Sequence, residues 1–150
     1  MNIILLGSTG MSLALAHALS AEHHEITVID THAERLSNIA QQLDIKVIID
    51  SPSHPHVLRE ANASRADMLI AMTEHDEVNM VACQIAYTLF KVPIKIARIH
   101  TPQYFSEHRL FSDTHLPIDL FIAPDQLVAQ TLSDIIESLD TYYSQPVGDT

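Results

Sequence analysis

The sequence predicts a doubly wound α/β domain, one parallel sheet with helices on both faces, and three observations predict it. Short aliphatic or β-branched runs alternate with longer amphipathic segments, and the runs are apolar throughout rather than at every second residue. The first run ends in a turn that holds two of the three glycines in the chain, Gly7 and Gly10, where average usage near 7% would supply roughly ten. Continuous apolar strands joined by helices demand a sheet buried on both sides, because right-handed crossovers put the helices there.

In order, the run Asn2-Ile3-Ile4-Leu5-Leu6 is a strand over 2–6 that Gly7 stops, and the period then changes to helical over 10–21. A strand follows at 26–30, a helix at 33–43 and a strand at 45–49. Ser53 is placed to cap a short helix near 54–61. Next come a strand at 67–72, a helix at 76–90 and a strand at 94–99. Thr101 precedes Pro102 at the first position of a helix over 102–112, and after a strand at 118–122 Pro124 opens a helix over 124–139. Six strand-helix units of this kind fit a Rossmann-like sheet with strand order 3-2-1-4-5-6.

With 150 residues and 47% apolar content the chain can build one core, expected over 1–143. Ser144 to Thr150, with Pro146 and Gly148, reads as a flexible tail. A formal charge of -11 opposes nucleic acid and anionic lipid as partners. One cysteine, Cys83, excludes an intramolecular disulfide and fits a reducing, cytoplasmic setting. The amino terminus lacks the basic region of a signal peptide, and no stretch has the length of a membrane span, so any membrane role is expected to be indirect.

Ligands of such sheets bind beyond the carboxyl ends of the strands near the reversal of strand order, so the residues closing each strand are the candidates. In the turn Gly7-Ser8-Thr9-Gly10-Met11-Ser12, the three positions of the dinucleotide fingerprint hold Gly7, Thr9 and Ser12. Gly10 offers flexibility one residue late, Ser12 is small enough to pack closely, and Thr9 puts β-branched bulk where a pyrophosphate approaches. The same turn also serves simply as a tight reversal. Asp30, twenty-three residues beyond Gly7, stands where an acid accepts ribose hydroxyls and repels a 2′-phosphate, which favours NAD or an adenine nucleotide over NADP. It can equally cap the helix behind it, as can Thr31. Asp50 and Ser51 either contact the base or form a capping turn. Thr73 and Glu74 fall beside the glycine turn, and Arg98 interrupts a buried strand, where it needs a ligand phosphate or a structural carboxylate.

The middle of the chain carries a more specific signal in Ser53-His54-Pro55, Val57-Leu58-Arg59-Glu60-Ala61, Ala66-Asp67-Met68-Leu69-Ile70-Ala71 and Asp76-Glu77-Val78-Asn79-Met80. It continues through Ala82-Cys83-Gln84, Thr88-Leu89-Phe90, Ile96-Ala97-Arg98-Ile99 and Ile122-Ala123-Pro124. These segments resemble the TrkA family, NAD-binding regulatory subunits of bacterial potassium uptake systems within the wider class of regulator domains for potassium conductance. The resemblance implies a non-enzymatic, cytoplasmic domain, peripheral at the inner membrane, that binds NAD or NADH, or alternatively ATP or ADP. It implies assembly into a homodimer or ring and control of a membrane potassium transporter subunit. The family's nucleotide contacts fall on Gly7, Ser8, Thr9, Gly10 and Met11, on Asp30, on Thr73 and Glu74, and on Arg98. The family keeps glycines where this chain has Thr9, Ser12 and Asp50, and its members usually carry a second ligand-sensing subdomain.

Three other readings bear on the same residues. A small NAD-dependent oxidoreductase would use Tyr87 and Lys91 as Tyr-x-x-x-Lys, but the pair lies after strand four and the glycines needed downstream are Ala14 and Ala16. A metal site could draw on His54 and His56 or on His23 and His24, yet zinc needs three or four converging donors and solvated histidines are expected, with no metal. A degenerate assembly module without nucleotide binding would use the last helix, where Val128, Leu132, Ile135, Leu139 and Tyr142 form one stripe that Leu127, Ile136 and Tyr143 widen. Cys83, among Val81, Ile85 and Leu89, reads as a core residue.

Overall fold

In the computed structural model, which describes residues 1–106, 108–112, 114–122 and 129–143, six parallel strands form one sheet in the order β3-β2-β1-β4-β5-β6. The strands are β1 (Asn2–Leu6), β2 (Glu25–Asp30), β3 (Lys46–Ile49), β4 (Met68–Ala71), β5 (Ile94–Arg98) and β6 (Leu120–Ile122). The helices are α1 (Gly10–Ala21), α2 (Ala33–Gln42), α3 (Pro55–Glu60), α4 (Asp76–Thr88) and α5 (Ala129–Tyr143). The strand order and the Rossmann-like architecture are those read from the sequence. The expected tail from 144 and the helix residues 124–128 lie outside the described residues.

Burial on both faces explains the unbroken apolar runs. Ile3 and Leu5 of β1 pack with Leu15 and Leu19 of α1, Leu36 of α2 and Leu132 and Ile136 of α5, whereas Ile4 and Leu6 pack with Val57 and Leu58 of α3 and Cys83 of α4. Successive strand side chains point to opposite faces, so a strand covered twice needs an apolar residue at every position. Cys83 is wholly buried, and burial pushes its thiol up to about 12, which leaves it a core residue without nucleophilic character.

The stripe expected on the last helix divides between core and surface, with Leu127 and Val128 outside the described residues. Leu132 and Ile136 are buried, Leu139 packs against the same cluster, and Tyr142 stays 70% exposed. His24, at the entry to β2, pairs with Glu137 of α5 at 2.5 Å.

Two expectations are corrected. The segment 102–112 is not a helix but two 3-10 turns, Pro102–Ser106 and His108–Leu110, closed by a bridge from Phe111 to Leu116. Its aromatic residues cause this: Phe105 and Phe111 gather on Phe121 of β6 with ring centroids 5.4 and 4.6 Å away, which bends the chain off a helical path. Nor does Ser53 cap α3, because Pro55 takes the first helical position and leaves His54 as the cap residue, without a side-chain bond.

One buried cation escaped the sequence reading. Lys95 of β5 is 2% exposed; its ammonium lies 3.2 Å from Asp119, donates to the Val92 and Pro93 carbonyls and sits 4.8 Å from the centre of the Tyr87 ring. Tyr87 therefore covers Lys95, and Lys91 lies beyond the end of α4 in the left-handed region at φ +58°. Asp119→Ala leaves this ammonium without its counter-charge and removes the acceptor of the Lys95 N–H, so urea denaturation should show a loss of about 2 kcal/mol. Lys95→Met in the Asp119→Ala background should recover part of it.

Candidate functional site

At the carboxyl edge of the sheet, the chain leaves β1 through Gly7, whose φ of +108° suits a residue without a side chain. A Cβ there would stand 2.7 Å from the Met72 carbonyl oxygen at the end of β4, so the close approach of the two strand ends requires glycine. Gly10 differs, since its φ is +42° but an added Cβ would meet nothing within 4 Å. Thr9 adopts extended backbone, φ -120°, and caps α1 without a side-chain bond. Ser12 is buried and its hydroxyl donates to the Gly7 carbonyl at 2.5 Å, locking the turn from within. The N–H groups of Thr9, Gly10 and Met11 find no acceptor among the described residues and form the positive end of the α1 dipole.

Beneath the turn lies a second constellation. The hydroxyl of the buried Ser8 donates to Asp30 Oδ2 at 2.7 Å, while Oδ1 accepts the N–H groups of Thr31 at 2.6 Å and His32 at 3.2 Å. Arg35, one turn into α2, donates through Nε to Ser8 Oγ at 3.2 Å. Burial alone would raise the Asp30 carboxyl, but the Ser8 bond, the two N–H groups and the Arg35 charge outweigh it and hold the group below its ordinary value. Neither Asp30 nor Thr31 caps α2: the cap residue is His32, whose ring accepts the Arg35 N–H at 3.4 Å.

A third set joins the ends of β4 and β5. Asn79 of α4 is 0% exposed and uses its full capacity. Its Oδ1 accepts the Thr73 N–H at 3.0 Å and the Thr73 hydroxyl at 2.7 Å, and its Nδ2 donates to the carbonyls of Thr73 at 3.0 Å and Arg98 at 2.8 Å. Arg98 donates through Nη1 to the Thr73 carbonyl at 3.0 Å, and among the described residues no carboxylate pairs with it at salt-bridge distance. Asp76, 5% exposed, accepts the N–H groups of His100 at 2.9 Å and Thr101 at 2.8 Å. Burial raises its carboxyl, and the His100 and Thr101 bonds with the Arg98 charge more than reverse that.

These ends enclose a cleft of about 350 Å³ lined by Gly7, Thr9, Asp30, Thr31, Arg35, Ser51, Pro52, Thr73, Glu74, His75 and Val78. It brings together Gly7, Thr9, Asp30, Thr73 and Glu74 of the residues expected from the sequence. Ser8 lies under the floor, Met11 packs against the core, and Gly10 and Arg98 stand outside the wall. Arg35 and Asn79 were missed; the signal for Arg35 was a cation five residues past Asp30, and for Asn79 a lone amide between Val78 and Met80. A second hollow, about 410 Å³, opens at the amino ends of β1 and β2 beside Asn62 and Arg65, away from the strand ends where such sheets take ligands.

The sheet order and the glycine turn define a Rossmann-like domain with its cleft at the switch between β1 and β4. The chain belongs to the TrkA-N domain family, whose model matches residues 3–124. It is 45% identical over 137 residues to the Trk system potassium uptake protein TrkA of Halomonas elongata, covering 91% of this chain and 30% of that protein, so the chain spans about a third of its relative. Among solved structures it resembles the TrkA-N domain of the inner membrane protein ybaL from Escherichia coli, with a TM-score of 0.72, 16% identity and coverage of 90% of this chain and 96% of that one. The GsuK channel bound to NAD matches with a TM-score of 0.68 at 22% identity, over 82% of this chain and 21% of that one.

Gly7→Ala should lower stability by about 3 kcal/mol or more, because backbone strain and the Met72 carbonyl act together, whereas Gly10→Ala should cost about 1 kcal/mol. Denaturation midpoints of the two variants test the contrast. The Asp76 carboxyl titrates below 3.8 in the folded chain, so its stabilising bonds are complete above that pH and are lost as pH falls through the folded value. The thermal-stability advantage of the parent chain over Asp76→Asn should be flat near neutrality and shrink below pH 3.8.

Proposed function

We propose that this chain is the nucleotide-sensing part of a Trk-type potassium uptake regulator. It takes NAD or NADH, or alternatively ATP or ADP, in the carboxyl-edge cleft and passes its occupancy to a membrane potassium transporter subunit. The observation that carries this reading is Asp30, held ionised at the end of β2 and facing the cleft beside the Gly7 turn. The name of the Halomonas relative and the NAD bound by the GsuK channel support it.

In this reading Asp30 accepts the ribose hydroxyls, and the N–H groups from Ser8 to Met11 face the pyrophosphate. Thr73 and Glu74 flank the second ribose, and Arg98 supplies positive charge behind Thr73. No reaction is assigned to the site, because Tyr87 is committed to Lys95 and no nucleophile with an adjacent base lines the cleft among the described residues. Signalling then requires two arrangements of the domain with different affinity for nucleotide. Among the described residues no helix is long and apolar enough to cross a membrane. The same proposal puts the domain at the cytoplasmic face of the inner membrane through its transporter partner.

A homodimer or ring belongs to the same proposal. Val81 on α4 and Leu89 just past its end are 47% and 53% exposed, and this favours as a second reading an assembly module that works without nucleotide.

Calorimetric titration with NAD, NADH, ATP and ADP separates the two. Saturable heat with at least one is expected, and Asp30→Asn, which keeps the shape and loses the charge, should weaken it roughly tenfold. No heat and no thermal stabilisation from all four would leave only assembly, and unchanged affinity in Asp30→Asn would remove the ribose role.

A further inference from the structure

We propose that Asp50, His54 and His56, at the turn joining β3 to α3, form a binding site for a divalent transition-metal ion of the zinc type. One donor atom from each residue lies within 4.8 Å of the other two, and the trio supplies two imidazoles and one carboxylate, a donor set that suits zinc with a fourth position left to water.

Local backbone geometry makes the trio converge. Within a helix, residues two apart point away from each other. His54, however, precedes the helix with extended backbone, φ -89° and ψ 132°, and Pro55 starts α3, so the rings of His54 and His56 come to one side with centroids 5.8 Å apart. Asp50 is aimed from the other side. Its N–H bonds to the Asp30 carbonyl at 3.0 Å and its Oδ1 accepts the Ser51 N–H at 2.7 Å. That leaves Oδ2 turned to His56 Nε2, 3.9 Å away.

The 3.9 Å separation is too long for a hydrogen bond, and the two imidazoles have no hydrogen-bond partner among the described residues. Donors around tetrahedral zinc stand about 3.3 Å apart, given bond lengths of about 2.0 to 2.1 Å, so closing onto an ion requires shifts of about 1.5 Å at most. Exposed side chains make such shifts by rotamer adjustment alone. The frame beneath them is fixed: the His54 carbonyl accepts the N–H groups of Val57 and Leu58, both wholly buried.

The test uses untagged protein freed of metal with a chelator and titrated with zinc by calorimetry, then with cobalt(II), whose visible spectrum reports tetrahedral coordination. One equivalent should bind, His54→Ala and His56→Ala should each weaken it by about tenfold or more, and Asp50→Asn should weaken it while retaining the Ser51 bond. His17→Ala, on exposed α1 surface, should change nothing. Absence of saturable binding, affinity that survives both histidine substitutions, or loss on Glu137→Gln instead, which would move the ion to the His24, Glu137 and Asp140 group, overturns the proposal.

Discussion

The carboxyl edge of this domain is organised by the approach of one backbone to another, the Gly7 α-carbon against the Met72 carbonyl, at a separation that excludes a Cβ. The contact sits where the strand order reverses, with β1 flanked by β2 and β4. Because the strand ends close there, α1 starts directly above the gap with its first N–H groups directed outward, and Asp30 and Thr73 come to opposite walls of one cleft. A side chain at position 7 would push β4 away and separate those walls, so the shape of the cleft depends on this packing as much as on any polar group.

Polar residues then hold what the backbone brings near. Asn79 satisfies both backbone groups of Thr73 and the carbonyl of Arg98, and Asp76 satisfies the next two N–H groups of the β5 loop. These loop groups leave the sheet without ladder partners, and a buried amide or carboxylate costs little when each of its bonds is made. The two side chains lie one helical turn apart on α4, so a single helix end fixes the β4 and β5 loops together. A displacement of α4 would move the Thr73 wall of the cleft together with the β5 loop.

The fold was legible in the sequence because its decisive signals are local. Unbroken runs such as Ile3 to Leu6 and Met68 to Ala71 report burial on two faces, and Gly7 and Asp30 announce themselves by position after a strand. What stayed hidden depends on contacts between distant residues. Nothing near Asn79 says that it will bond Arg98, and nothing near Lys95 names Asp119. The helix expected over 102–112 failed for the same reason, since the aromatic cluster that bends it needs Phe121 from β6. The stripe on α5 was visible, but that its Leu132 packs, with the adjoining Ile136, in one cluster with Leu15 and Leu19 of α1 depends on residues more than a hundred positions away.

Asp30 shows how one residue holds the scaffold and still faces the cleft. A carboxylate offers about four lone-pair directions; here Oδ1 accepts the N–H and hydroxyl of Thr31 and the His32 N–H, while Oδ2 accepts Ser8 alone. The second lone pair of Oδ2 can accept one hydroxyl without breaking a bond of the folded chain. These protein donors also keep the group charged, so the acceptor facing the cleft is already oriented and ionised. Arg35 completes the arrangement through Ser8 rather than by pairing with the carboxylate, which leaves its positive charge near the cleft while the negative charge of Asp30 stays available. In the proposed reading, a phosphate carried at the same hydroxyl would bring a second negative charge against Asp30, so the network that fixes the acid would also disfavour a 2′-phosphorylated ribose.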